Sequence, residues 1–158
     1  MNIPLNIEDN DIYQYWRANK LKNYPHEIKD LTVKINTPGQ PNREQIKDIK
    51  NICHKTNMAI YEAPEAIIED KNIALNIGGS IGLNNIERSL TTEKDGVSEL
   101  SETSSGIKRN YIPYSNKSLG WHTDGCYNDR KYPINGFLLH CVRAAEHGGE
   151  NFLLDPEI

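Results

Sequence analysis

Trp121-His122-Thr123-Asp124-Gly125 is the stretch on which the reading of this chain turns. In an extended segment successive side chains alternate faces, so His122 and Asp124 share one face and Thr123 takes the other. An imidazole and a carboxylate placed this way can grip one metal ion. They make two thirds of the 2-His-1-carboxylate facial triad, the ligand set that leaves positions open on non-haem Fe(II) for oxygen and a co-substrate. The third ligand is expected to be a more distant His.

Outward from this run the sequence carries Tyr111-Ile112-Pro113-Tyr114-Ser115-Asn116 before it and Tyr127-Asn128 after it. Phe137-Leu138-Leu139-His140-Cys141-Val142-Arg143 and Gly148-Gly149-Glu150-Asn151 follow, closed by Leu154-Asp155. A His-x-Asp triplet alone is common. With a preceding Trp, a following Gly and a Gly-Gly-acidic turn beyond the next long apolar run, the ensemble resembles the TauD/TfdA family of Fe(II)- and 2-oxoglutarate-dependent dioxygenases. The likeness runs from about Tyr111 to Asp155, and the upstream order of elements is compatible with the family's N-terminal part.

The resemblance implies a mainly β fold with flanking helices, an α+β chain built on the double-stranded β-helix, the jelly roll of the clavaminate synthase-like kind. Tyr111 to Tyr114, Leu119 to Thr123, Ile134 to Arg143 and Asn151 to Leu154 are the candidate strands, with Val97 to Leu100 as a further short one. His122 and Asp124 would be metal ligands, and 2-oxoglutarate the co-substrate, converted to succinate and CO₂ as a small molecule is hydroxylated. Asn151 stands where many members have a Thr that helps hold 2-oxoglutarate; an amide can donate as the hydroxyl does, though a polar turn residue is the plain alternative. Tyr114, Asn116, Tyr127 and Asn128 flank the metal motif and are candidate substrate contacts, or else packing and turn residues.

The family's second His ligand lies well downstream of the His-x-Asp pair, with an Arg shortly after it that pairs with the far carboxylate of 2-oxoglutarate. The only histidines after Asp124 are His140 and His147, and neither occupies that place; Arg143 cannot be carried over as the family's Arg. The chain is therefore expected to be an incomplete β-helix, the N-terminal part of one dioxygenase domain, with 1–96 a mixed helix and strand region and 97–158 the first half of the core. Unpaired strand edges and bare apolar faces would follow. A homo-oligomer or a complementing C-terminal half would cover them, and a non-catalytic, partner-binding half-fold is the alternative to a dioxygenase. A zinc site from His122, Cys126 and Cys141 matches no zinc-module spacing.

Upstream, Asp11 is the expected cap of a helix with Ile12, Tyr15 and Trp16 on its packing stripe and Arg17 and Lys20 toward water. Leu31, Val33 and Ile35 alternate with polar residues, predicting a half-buried strand that stops at Pro38-Gly39. A helix is expected over Asn42 to Thr56, with Ile46, Ile49, Ile52 and Cys53 on one face, then a strand over Met58 to Tyr61. From Asp70 the fourfold recurrence of Ile73, Ile77 and Ile81 predicts another helix, although Gly78, Gly79 and Gly82 weaken it. Those glycines fit no phosphate-loop spacing. A polar stretch, Ser89 to Gly106, marks a boundary.

The 158 residues suit one domain, and at 37% hydrophobic they suffice for a core. A net charge of −4 with basic residues scattered among acidic ones offers no stripe to a phosphate backbone, so no nucleic-acid partner is expected. The first ten residues lack Lys, Arg and a signal-length apolar run, so a cytoplasmic protein with no membrane partner is the expectation. Three cysteines without a C-x-x-C pair fit reduced thiols.

Overall fold

The computed structural model describes residues 8–22, 24–64, 70–86 and 95–158. Most of the expected N-terminal stretch (1–7) and the first part of the polar boundary (89–94) lie outside the described residues. The chain divides into two compact units, Met1–Asp70 with Cys141–Ile158, and Lys71–His140.

The first unit is organised around a β-α-β turn of chain. β1 (Thr32–Lys34) and β2 (Ile60–Glu62) pair in parallel with Thr32 opposite Ile60, Val33 opposite Tyr61 and Lys34 opposite Glu62. Parallel neighbours need a long crossover, here α2 (Arg43–Thr56), which packs against β1. The pairing extends one residue beyond β1, where the Ile35 amide donates to the Glu62 carbonyl at 2.8 Å. The helix starts where expected because Asn42 and Gln45 form a capping box, each side chain accepting from the other's backbone N–H at 2.9 and 2.8 Å. It stops at Asn57, whose left-handed backbone (φ 58°) few side chains besides Asn accept. Val33, Ile35 and Ile49 are buried, and fully buried Thr56 places its hydroxyl 2.9 Å from the Ile52 carbonyl and 2.8 Å from that of Met58.

α1 (Asn10–Lys22) precedes this frame. Its cap is Asp9 rather than the expected Asp11: the Asp9 carboxylate accepts from the Asp11 and Ile12 amides at 3.1 and 3.2 Å. The stripe also differs, because Tyr15 is exposed while Lys20, expected in water, is turned inward. Its ammonium lies 2.8 Å from the Asp155 carboxylate, with side chains only 8% and 4% exposed, contacts Glu157, and sits over the Trp16 ring, 5.3 Å from its centre.

In the second unit α3 (Asn72–Ile81) buries Ile73 and Ile77, and its glycines end it instead of cradling an anion. Gly82 is left-handed at φ 107°, its amide donating to the Gly79 carbonyl at 3.2 Å and that of Leu83 to the Gly78 carbonyl at 2.8 Å, the double closure of a Schellman motif. Two 3₁₀ turns, Ile107–Asn110 and Ile112–Tyr114, follow.

The expected jelly roll is not formed. Among the described residues strand makes up about 4%, in two parallel strands, against about 35% helix, and none of the expected strands between 97 and 154 is present. The reason is one of partners. Each strand of a double-stranded β-helix has its N–H and C=O groups met by neighbours, and among the described residues no strand ladder forms along 111–154. Much of the backbone closes locally instead: the Tyr114 amide bonds the Tyr111 carbonyl at 3.1 Å, Ser115 bonds Ile112 at 2.9 Å, Asn128 bonds Gly125 at 2.9 Å and Tyr132 bonds Asp129 at 2.8 Å. Side chains expected inside a roll are left in water, Trp121 at 74% and Phe152 at 78% exposure among them.

Removing the capping box by Asn42→Ala is expected to cost about 1 kcal/mol in urea unfolding, whereas Asn42→Ser should recover most of it. Stability should also depend on pH in a definite sense. Burial works against the Asp155 carboxylate, but hydrogen bonds from Lys20, Asn57, the Glu157 amide and Tyr24 hold its pKa below the ordinary value, and Lys20 lowers that of Glu157. Lys20 itself is raised, its burial outweighed by the two carboxylates, and burial pushes Tyr61 up to about 12. Carboxylates lowered on folding contribute above about pH 4 and lose that contribution as pH falls; groups raised on folding contribute below about pH 10 and lose it as pH rises. The urea midpoint should form a plateau between those limits, and Tyr61→Phe should soften its alkaline edge.

Candidate metal centre

His122 and Asp124 are brought together by turns, not by a strand. Residues 119–123 are irregular, and 124–127 form a turn in which Gly125 is left-handed at φ 74°. The expected face-sharing of a pleated segment is thus absent, yet the two side chains still meet: His122 Nε2 lies 4.0 Å from Asp124 Oδ1, with both about half exposed. The other ring nitrogen, Nδ1, is 2.8 Å from the Gly120 carbonyl. A carbonyl only accepts, so Nδ1 is the donor in this contact, and Nε2 is the nitrogen turned toward Asp124. Metal-binding imidazoles are oriented in this way, the N–H tied to a carbonyl and the opposite nitrogen left for the ion.

Two ligands about 2.1 Å from an ion and at right angles lie about 3 Å apart, so the pair must close by about 1 Å to chelate. Their exposure leaves room for that. An imidazole and a carboxylate suit Fe(II), and in this respect the residues present fit the ion. Among the described residues no group of three or more His, Cys, Asp and Glu side chains is placed to hold a metal. His140 and His147 therefore do not complete a triad with the pair, and the zinc combination of His122 with the exposed Cys126 and Cys141 is not assembled.

The other candidates have varied settings. Tyr114 is only 3% exposed, anchored in the last 3₁₀ turn with the Lys108 ammonium 5.3 Å from its ring centre, and its buried hydroxyl has no hydrogen-bond partner among the described residues. Asn116 and Tyr127 are exposed. Asn128 is committed to its turn, its amide group donating to the Tyr132 carbonyl at 3.0 Å. Asn151, in the other unit, is exposed after the left-handed Gly148 and Gly149, and its side chain donates to the Gly149 carbonyl at 3.2 Å.

Two shallow clefts, of about 470 and 510 Å³, lie in the first unit, one along β1 and α2 and the other beside Tyr24, His26 and Lys55; neither His122 nor Asp124 lines them. Gly120, whose carbonyl orients His122, is not marked by any ligand pattern in the sequence. Asp155 is signalled only as the close of the family-like stretch.

The model of the family described as taurine catabolism dioxygenase TauD, TfdA family matches residues 19–156. No curated protein and no solved structure gives a significant match. No helix among the described residues is long and apolar enough to cross a membrane.

The Gly125 turn that aligns the pair admits no side chain. A Cβ there would fall 2.7 Å from Ile134 Cγ1, in a backbone region that already strains an L residue. Gly125→Ala is expected to destabilise by about 1–3 kcal/mol in urea unfolding. In an Ile134→Ala background the same change should cost less, because the contacts with Cγ1 and Cδ1 of Ile134 are gone while the dihedral strain and a 3.0 Å contact with the Cβ of residue 134 remain.

Proposed function

The chain belongs to the TauD/TfdA family of dioxygenases, and from that premise we propose that His122 and Asp124 are two ligands of an Fe(II) centre working with 2-oxoglutarate. Members of this family are in general Fe(II)- and 2-oxoglutarate-dependent. The observation that carries the proposal is the orientation of His122: its Nδ1–H is held by the Gly120 carbonyl and its Nε2 faces the Asp124 carboxylate.

When bound, iron with 2-oxoglutarate and oxygen supplies the oxidising power that yields succinate and CO₂ and hydroxylates a C–H bond of a small molecule. The chain's own part is to bind and to orient. Asp124 contributes negative charge that favours a divalent cation, and His122 a neutral nitrogen whose direction is preset. Asn151 takes the place of the family's Thr and donates its amide to 2-oxoglutarate. Tyr114, Asn116, Tyr127 and Asn128 are the proposed substrate contacts; the unpartnered Tyr114 hydroxyl favours that role for it, while the turn bond of Asn128 argues for a positioning one.

A second reading is favoured by a different observation. The exposed apolar side chains of Trp121, Phe137, Phe152 and Leu154 are of the kind a partner covers, which suits a non-catalytic module that self-associates. Light scattering that finds only monomer over a wide concentration range would argue against it.

Any succinate that the purified chain releases when supplied with Fe(II), 2-oxoglutarate and oxygen, even uncoupled from a substrate, is expected to depend on the His122 and Asp124 pair. His122→Ala and Asp124→Ala should each abolish it and weaken Mn(II) binding by on the order of tenfold to a hundredfold, the loss seen when even an outer partner of a ligand is removed. No succinate from the wild type would count against catalysis by this chain alone.

A further inference from the structure

Beyond the Gly148-Gly149 turn the chain runs through Asn151 with Phe152, Leu153 and Leu154 exposed, then turns inward at Asp155. There the carboxylate meets Lys20 of α1 at 2.8 Å, the Tyr24 hydroxyl just past α1 at 2.9 Å, the Asn57 amide group at the left-handed end of α2 at 2.9 Å, and the Glu157 backbone amide at 3.1 Å. Lys20 is itself held by Glu157 and by the face of Trp16. An exposed ion pair would matter little, but this one is buried, and removing one partner strands the other charge.

We propose that Asp155 is a positioning residue, clasping the arm of residues 148–155 to α1 and to the end of α2 and so fixing Asn151. The proposal rests on the reading of Asn151 as a co-substrate contact. Asn151's own side chain reaches only back into its turn, to Gly149, so the attachment to the helices comes four residues later. Four extended residues span at most about 13–14 Å, which bounds how far Asn151 can stray from the anchored carboxylate.

The test uses the full chain, with backbone ¹⁵N relaxation of residues 150–154 and calorimetric titration of 2-oxoglutarate in the presence of Mn(II). Order parameters near about 0.8 in the wild type should fall below about 0.6 in Asp155→Asn and Lys20→Met while those of α2 hold, and Lys20→Arg should restore them. Affinity for 2-oxoglutarate should drop about tenfold in the same two variants and return in Lys20→Arg, which a general loss of stability would not reproduce. Tyr24→Phe, which deletes one hydrogen bond and no charge, takes their place if Asp155→Asn does not fold, with a smaller shift in the same direction. An arm as mobile in the wild type as in the variants, or unchanged by them, overturns the clasp. A wild type that does not bind 2-oxoglutarate while the arm loosens as expected supports the clasp and overturns the co-substrate role of Asn151.

Discussion

A carboxylate taken out of water must be met by donors or it will not stay ionised, and Asp155 is met from three places at once. α1 gives Lys20 and, just beyond its end, Tyr24; the left-handed cap of α2 gives Asn57; the following turn gives an amide. Much of the first unit's order follows from this. α1 fully buries none of its apolar residues, so apolar burial alone does not account for its attachment. Its aromatic pair, Tyr13 stacked near Trp16 with ring centres 5.9 Å apart, becomes useful because the Lys20 ammonium lies over Trp16 on its way to Asp155.

What could be read from the sequence was what short-range chemistry decides. α2 begins at a capping box three residues wide and carries its apolar residues at helical spacing, so both its place and its buried face were legible. α3 was legible for the same reason, and its glycines turned out to be a helix stop. β1 and β2 appeared near their expected positions, though trimmed to three residues each. The clasp was not legible, because Tyr24 and Asp155 are separated by 131 positions and Asn57 and Asp155 by 98, with nothing in the local pattern of either to announce the other.

The jelly-roll expectation failed on a related point. Alternating or continuous apolar residues between 111 and 154 say which faces a strand would have, but a strand exists only when a neighbour accepts and donates along its edge. His122 and Asp124 show how two side chains can still meet without the strand expected to place them. Pleating was the reason for placing His122 and Asp124 on one face, whereas the structure reaches a similar meeting through a glycine turn after Asp124 and a carbonyl two residues before His122. The family was legible in the residues that flank the pair.

The span of the clasp also sets an order of events during folding. The β1-α2-β2 turn of chain closes over 28 positions, while bringing Tyr24 to Asp155 carries about 1.4 kcal/mol more loop-closure entropy. The local unit can therefore form first and the clasp last. On a ribosome adding about 5–20 residues per second, α1 is synthesised about 7 to 27 s before its anchoring carboxylate. For that interval Trp16 and Lys20 are a bare aromatic and basic patch on a nascent chain, open to whatever binds such segments during synthesis.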